Sequence, residues 1–245
     1  MIYTEFMRSR LSKNSWILTR PAAHRGLHNE TIPENSLPAF SAAVEKGYPI
    51  ETDVHMSIDD RLVCFHDDNV FRMTGLNRDI RDLSYSEIKS LNLNATSETI
   101  PDFEEFLQLV GGKVPLLIEI KQQKRKGIVD LVLKALKSYN GEYAIQSFDP
   151  TVIIELKKKA PEILRGQLAS GKPENMNAFK KYIVKNTPLN FLSRPDFVNY
   201  DLASLPTRKS RYSGLPLICW TVRTTEERKK AEEIGVNYVF ENVFN

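Results

Sequence analysis

Glu51 and Asp53 stand two residues apart in the run Gly47 to Asp68, GYPIETDVHMSIDDRLVCFHDD. The apolar start Tyr48 to Ile50 makes this a strand, and residues i and i+2 of a strand share a face. Two carboxylates aimed from one strand end are costly in a core but natural ligands for a divalent cation, because hard cations take carboxylate oxygens. Asp59-Asp60 reads as a hairpin turn, and the return strand, Arg61 to Phe65, delivers His66 and Asp67 to the same place. Glu119, closing the apolar run from Val114 to Ile120, adds a third acid. Three anions converging on one point repel strongly unless a cation sits between them. Ligands that are all oxygen favour Mg²⁺ or Ca²⁺ over zinc.

His24 and His66 flank these acids and titrate near neutrality, which suits a general acid and a general base. Arg25 and Lys121 adjoin His24 and Glu119. Fixed cations beside a metal suit an anionic phosphoryl substrate. Trp220, at the end of an apolar strand, fits a pocket wall and an ordinary core position equally well. Taken singly, each acid reads as a solvated strand residue and each histidine as a strand-end residue; the set argues for chemistry. Lys124-Arg125-Lys126 reads as a solvated loop, and Lys157-Lys158-Lys159 as cations favoured at a helix C-terminus. His28 and His55 read as loop or rim residues.

The elements that must hold these residues alternate. An amphipathic helix over Ile2 to Leu11 precedes a first strand over Ile17 to Ala23. A helix capped by Asn35 or Ser36 carries Leu37, Phe40, Ala43 and Val44 on one face. Ser84-x-x-Glu87 and Asp102-x-x-Glu105 are capping boxes. Further strands are read at Val114–Ile120, Tyr143–Ser147, Ile163–Ala169, Phe197–Tyr200, Leu217–Val222 and Val236–Phe240, with helices between most of them. Continuously apolar strands with crossovers mean a parallel sheet. Eight main strands, with the singled-out residues at C-terminal strand ends, indicate a (β/α)8 TIM barrel, which places its active site on that face. Arg61 to Phe65 then belongs to an insertion after the second strand. The absence of a glycine-rich loop after the first strand disfavours a dinucleotide-binding sheet.

The chain of 245 residues with a net charge of +3 suits one barrel domain, residues 1–245 with an insertion at about 55–110, and does not argue for nucleic acid. Cys64 and Cys219 lie far apart, form no CxxC and read as buried free thiols. With no apolar leader and no run of ~20 apolar residues, a soluble cytoplasmic protein without stable membrane insertion is the simplest reading. The last strand ends almost at the terminus, so Ile2 to Leu11 is expected to cover barrel surface that an eighth outer helix would cover. Oligomeric state is not legible.

The order His24-Arg25-Gly26, Pro33-Glu34-Asn35-Ser36, Glu51-x-Asp53-Val54, His66-Asp67, Arg72-x-Thr74-Gly75, Glu119-Ile120-Lys121, Ser147-Phe148 and Trp220-Thr221-Val222 resembles the glycerophosphodiester phosphodiesterases. The resemblance spans about His24 to Val222. It implies a TIM barrel with a small inserted subdomain after the second strand. It also implies hydrolysis of a small glycerophosphodiester to sn-glycerol 3-phosphate and an alcohol, with one divalent ion on Glu51, Asp53 and Glu119. His24 and His66 match the family's acid–base pair, and Arg25 and Lys121 its phosphate-binding cations. Ser36 stands where threonine is common, and Glu241-Asn242 where a threonine–aspartate pair is usual. A sphingomyelinase D or lysophospholipase D relative and a non-catalytic phosphodiester-binding barrel are the competing readings.

Overall fold

The computed structural model describes residues 9–173, 177–208, 212 and 214–242. In chain order the elements are α1 (Trp16–Thr19), β1 (Ala22–His24), α2 (Leu37–Glu45), β2 (Ile50–Met56), β3 (Leu62–Cys64), α3 (Phe71–Thr74), α4 (Tyr85–Lys89), α5 (Phe103–Val110), β4 (Leu116–Ile120) and α6 (Ile128–Leu136). There follow β5 (Tyr143–Ser147), α7 (Pro150–Lys159), β6 (Leu164–Ala169), α8 (Ala178–Asn186), α9 (Asn190–Ser193), β7 (Phe197–Asp201), β8 (Leu217–Val222), α10 (Thr225–Ile234) and β9 (Asn237–Phe240). Eight strands run parallel and alternate with helices: a (β/α)8 TIM barrel, with β3 as an added antiparallel strand. The chain divides into two compact units, Ala23–Tyr143 and the remainder.

In the first unit β2 is the axis. It pairs in parallel with β1 and β4, then continues past Asp53 to pair with β3. This register sets His24 opposite Glu51 and Asp53 opposite Glu119. α5 begins at the capping box of Asp102 and Glu105, and its apolar stripe of Phe103, Phe106, Leu107 and Val110 is buried. Phe106 meets Phe40 of α2 with ring centroids 4.4 Å apart. Between β3 and α5 the inserted segment buries its own cluster, with Val70, Met73, Ile80, Leu83, Ile88 and Leu93 among its members. α4 starts at the expected Ser84–Glu87 capping box.

In the second unit β5 to β9 form a continuous parallel ladder. The expected strand over Ile17 to Ala23 is instead a helical turn, Trp16–Thr19, followed by the short β1. Pro21 separates the two, because it has no N–H for a ladder. Trp16 and Ile17 are buried in this turn, and Asn237 ties it down by donating to the carbonyls of Ile17 (3.0 Å) and Arg20 (2.8 Å). Most of the expected helix over Ile2 to Leu11 lies outside the described residues; Ser9 to Leu11 are not helical. Arg10 grips Asp196 through two bonds, 2.8 and 2.7 Å long. Cys64 and Cys219 are free and buried, as expected.

Candidate active site

The site is built in the first unit from three strands and the loops that leave them. His24 is the last residue of β1, Glu51 and Asp53 lie on one face of β2, and Glu119 stands one residue before the end of β4. One carboxylate oxygen of each acid lies within 4.8 Å of the other two, and all three residues are buried. Among the described residues no other group of three acidic, histidine or cysteine ligands is this close. Three hard oxygen donors at this spacing could hold a metal ion and offer nothing soft to a thiophilic one.

Two cations share the acids. Lys121 Nζ stands 2.9 Å from Glu119 Oε1 and 3.2 Å from Asp53 Oδ1. Arg25 Nε lies 3.5 Å from Asp53 Oδ2, and its backbone N–H donates to Glu51 Oε2 at 3.3 Å. His24 Nε2 approaches the same Glu51 oxygen at 3.9 Å. Burial alone would raise Asp53, but Lys121, His66 and Arg25 hold it well below the usual carboxylate range. Glu51 goes the other way: burial beside Asp53 and Glu119 raises it well above that range. Glu119 is raised by burial, against the pull of Lys121. Lys121 is held above the usual lysine range by Glu119 and Asp53, which outweigh its burial. The acids outnumber the cations among them, and that excess is the electrostatic case for a metal ion.

The backbone that aims these groups is unusual. Arg25 has φ +56° and Asn35 φ +51°, conformations rare in L-residues. Gly26 has φ +81°, and a Cβ there would lie 2.7 Å from the Ala39 carbonyl carbon, so no other residue fits without moving α2. Ser36 caps α2 as expected, accepting from Ala39 N.

Several residues not singled out for the site take part in it. Asn35 donates to Asp53 Oδ2 (3.0 Å) and accepts from Thr52 Oγ1 (2.9 Å), fixing one carboxylate rotamer. Glu34 accepts from Arg25 (2.7 Å) and from Arg72 (2.6 Å). Arg72 also binds Asp67 Oδ2 (2.6 Å), whose other oxygen meets His66 Nδ1 at 2.6 Å. A continuous polar strap thus runs from Arg25 through Glu34, Arg72 and Asp67 to His66. Burial would raise Glu34 and Asp67, but Arg72 and Arg25 lower Glu34, and His66 and Arg72 lower Asp67.

His55 is not a rim residue. It is fully buried in β2, on the face that carries Glu51 and Asp53. Its Nε2 lies 3.3 Å from the His66 carbonyl and its Nδ1 3.4 Å from Gln123 Nε2. Burial pushes its pKa down to about 3, which keeps it neutral. Its neutral ring carries a hydrogen where it meets the His66 carbonyl, and so donates there. The loop after β4 is tied down as well: Lys124 meets Asp82 at 2.6 Å, and Arg125 donates to the carbonyls of Ser57 (2.7 Å) and Ile58 (2.9 Å). Trp220 belongs to the second unit, where Nε1 donates to the Asn199 carbonyl (3.3 Å) and the ring meets Phe148 edge-on.

The strand ends of this TIM barrel bring together a buried acidic group that could hold a metal ion with basic and imidazole groups. The model of the Glycerophosphoryl diester phosphodiesterase family matches residues 24–244. A glycerophosphodiester phosphodiesterase of Caldanaerobacter subterraneus subsp. tengcongensis is 32% identical over 230 residues, 88% of this chain and 90% of that protein. The crystal structure of the Thermotoga maritima glycerophosphodiester phosphodiesterase has a TM-score of 0.68 and 26% identity, covering 90% of this chain and 92% of its own. An Oleispira antarctica phosphodiesterase, solved with the product sn-glycerol-3-phosphate, has a TM-score of 0.75 and 23% identity, covering 91% of this chain and 93% of its own; this likeness shows the fold. The chain belongs to the glycerophosphoryl diester phosphodiesterase family.

Proposed function

We propose that this family hydrolase converts a small glycerophosphodiester to sn-glycerol 3-phosphate and an alcohol, using His24 and His66 for proton transfer. The observation that carries the reading is the buried excess of carboxylates, Glu51, Asp53 and Glu119, shared by Arg25 and Lys121 beside His24. These three acids would hold one divalent cation, Mg²⁺ or Ca²⁺. When bound, such an ion neutralises charge on phosphoryl oxygens.

The chain's own groups do the rest. Cleaving a P–O bond needs an oriented nucleophile, charge neutralisation and a proton for the leaving alkoxide. Arg25 and Lys121 supply fixed positive charge to the phosphoryl group. One histidine takes the proton of the nucleophile, which is water or the substrate's own glycerol 2-hydroxyl. The other delivers a proton to the leaving oxygen. Asp67 holds His66 by Nδ1 and leaves Nε2 for that work. The whole chain acts as one barrel domain with its insertion at about 55–110, in the cytoplasm.

The test is release of glycerol 3-phosphate from glycerophosphocholine with Mg²⁺ or Ca²⁺, before and after chelation, in the parent and in Glu119→Gln. Glutamine keeps the size and one oxygen but removes the charge. Metal-dependent release that is lost with Glu119→Gln, with weaker metal binding by calorimetry, is the expected result. Release that ignores chelation, or equal metal affinity in parent and variant, defeats the ligand assignment.

A further inference from the structure

We infer that α8 and α9 form a docking surface for an anionic lipid bilayer, on which the protein rests without crossing it. The described residues expose six large hydrophobic side chains, and four of them fall between Phe179 and Leu192. Phe179 is 73% exposed, Tyr182 57%, Phe191 60% and Leu192 44%. Phe179 and Tyr182 are three residues apart on α8, so they share a face. Scattered apolar residues on a surface need no explanation, but four of the six described falling in one short stretch of sequence do.

The charge within this stretch of sequence has one sign. From Asn177 to Pro195 the sequence carries Lys180, Lys181, Lys185 and Arg194 and no aspartate or glutamate. Lys181, Lys185 and Tyr182 line an open hollow of about 510 Å³ together with Lys172. Lys157 of α7 donates to the Leu192 carbonyl, and burial, with the positive charge of Arg194 beside it, lowers its pKa. Acids nearby are already engaged: Glu155 by Lys159 at 2.7 Å, and Asp196 by Arg10.

Exposed aromatic and aliphatic side chains interleaved with lysines, and no acids, are the composition of an interfacial helix. The apolar tips enter the headgroup boundary while lysines meet lipid phosphates, and long lysine stems reach the headgroups from beside the apolar face. An acidic protein would satisfy the lysines but leave four apolar side chains to a matching pocket. A bilayer accepts both at once. No helix among the described residues is long and apolar enough to cross a membrane, which leaves this surface lying in the interface plane.

Sedimentation with vesicles of phosphatidylcholine alone, or of equal parts phosphatidylcholine and phosphatidylglycerol, tests the inference. The parent should sediment with the mixed vesicles, weakly with the neutral ones, and be released by salt. Lys181→Glu with Lys185→Glu should lower partitioning roughly 25-fold or more, about fivefold per charge near an anionic leaflet. Phe179→Ser with Phe191→Ser should also release the protein while leaving hydrolysis of soluble glycerophosphocholine at the parental rate. A variant-free measurement runs beside these: mixed vesicles should protect Lys181 and Lys185 of the parent from an amine-acylating reagent more than its other lysines. Equal binding to both vesicles, parental binding by both variants, or no selective protection overturns the inference. Retention on immobilised polyglutamate without vesicle binding overturns it in favour of an acidic protein.

Discussion

Two clusters of buried charge, one in each compact unit, differ in what they leave over. In the second unit Asp196 accepts two bonds from Arg10 and one from the Arg165 N–H, at 2.7 to 3.0 Å. The Arg165 guanidinium is in turn capped by the carbonyls of Arg194 (3.1 Å) and Pro161 (3.2 Å). Each charge there is spent on a protein partner. In the first unit Glu51, Asp53 and Glu119 crowd together, and Lys121 must serve two of them at once. Burial of charge is common to both, so it does not mark a site. A crowd of like charges does, because a cation or a proton must offset it.

The largest expected effect separates the clusters by chemistry. His24→Ala or His66→Ala should lower kcat/KM on glycerophosphocholine on the order of 10²–10⁴-fold, and the parental pH profile should be bell-shaped. The double variant should lose far less than the product of the single losses, since residues acting as a unit are not additive. A p-nitrophenyl diester needs little leaving-group protonation and should rescue only the variant lacking the acid. Near-parental rates in both single variants would remove the two histidines from the mechanism.

Next comes the support of the unbalanced cluster. Asn35→Ala removes the donor that orients Asp53 and should weaken metal binding roughly 10–100-fold, the usual cost of losing a ligand's hydrogen-bond partner. Titration calorimetry giving parental affinity would show that Asp53 needs no such guide. Asp196→Ala is the counterpart in the second unit's cluster, where every charge has a hydrogen-bond partner. It should cost about 1.5–3 kcal/mol of stability, the range for hydrogen bonds to a charged group. Thermal melting should fall by roughly 2–4 °C for each kcal/mol in a chain of this size, while kcat/KM well below the transition stays parental. A catalytic loss with an unchanged melting temperature would reverse the contrast.

The smallest effect concerns the strap through Arg72. Folding lowers the pKa of both Glu34 and Asp67, so the unfolded chain takes up their protons first. Their contribution is present above the ordinary carboxylate range and is lost as pH falls through it toward the lower folded values. Arg72→Gln should therefore lower stability near neutrality and flatten the acid side of the stability–pH curve, so that parent and variant converge at low pH. Denaturant midpoints measured across that range decide it; parallel curves for parent and variant would show that the strap carries no linked protons.

Much of this arrangement could be read from residue types. The i, i+2 spacing of Glu51 and Asp53 put both on one face, and the Ser84 and Asp102 capping boxes marked α4 and α5 where they occur. The same spacing rule, carried one step further, puts His55 on the Glu51 face, so its burial was available and missed. Other parts were not legible. Asn35 and Glu34 act through a loop with positive φ, and no periodicity reports where a loop side chain points. Arg72 joins the site from the insertion, across a sequence separation of 38 residues from Glu34. Ile17 to Ala23 has a strand's composition, but Pro21 breaks it and tertiary burial of Trp16 and Ile17 favours a helical turn.

The insertion's own buried cluster, from Val63 to Ile100, has a consequence for how the protein opens. Its backbone is held mostly by turns, caps and isolated bridges rather than by the barrel ladder. Such a segment opens as one cooperative block at a cost below that of global unfolding. In native-state hydrogen exchange its amides should share one rate under mild denaturant, ahead of β2 and β4. Because His66 and Arg72 lie within that block, each opening takes apart the polar strap while leaving Glu51, Asp53 and Glu119 on their strands.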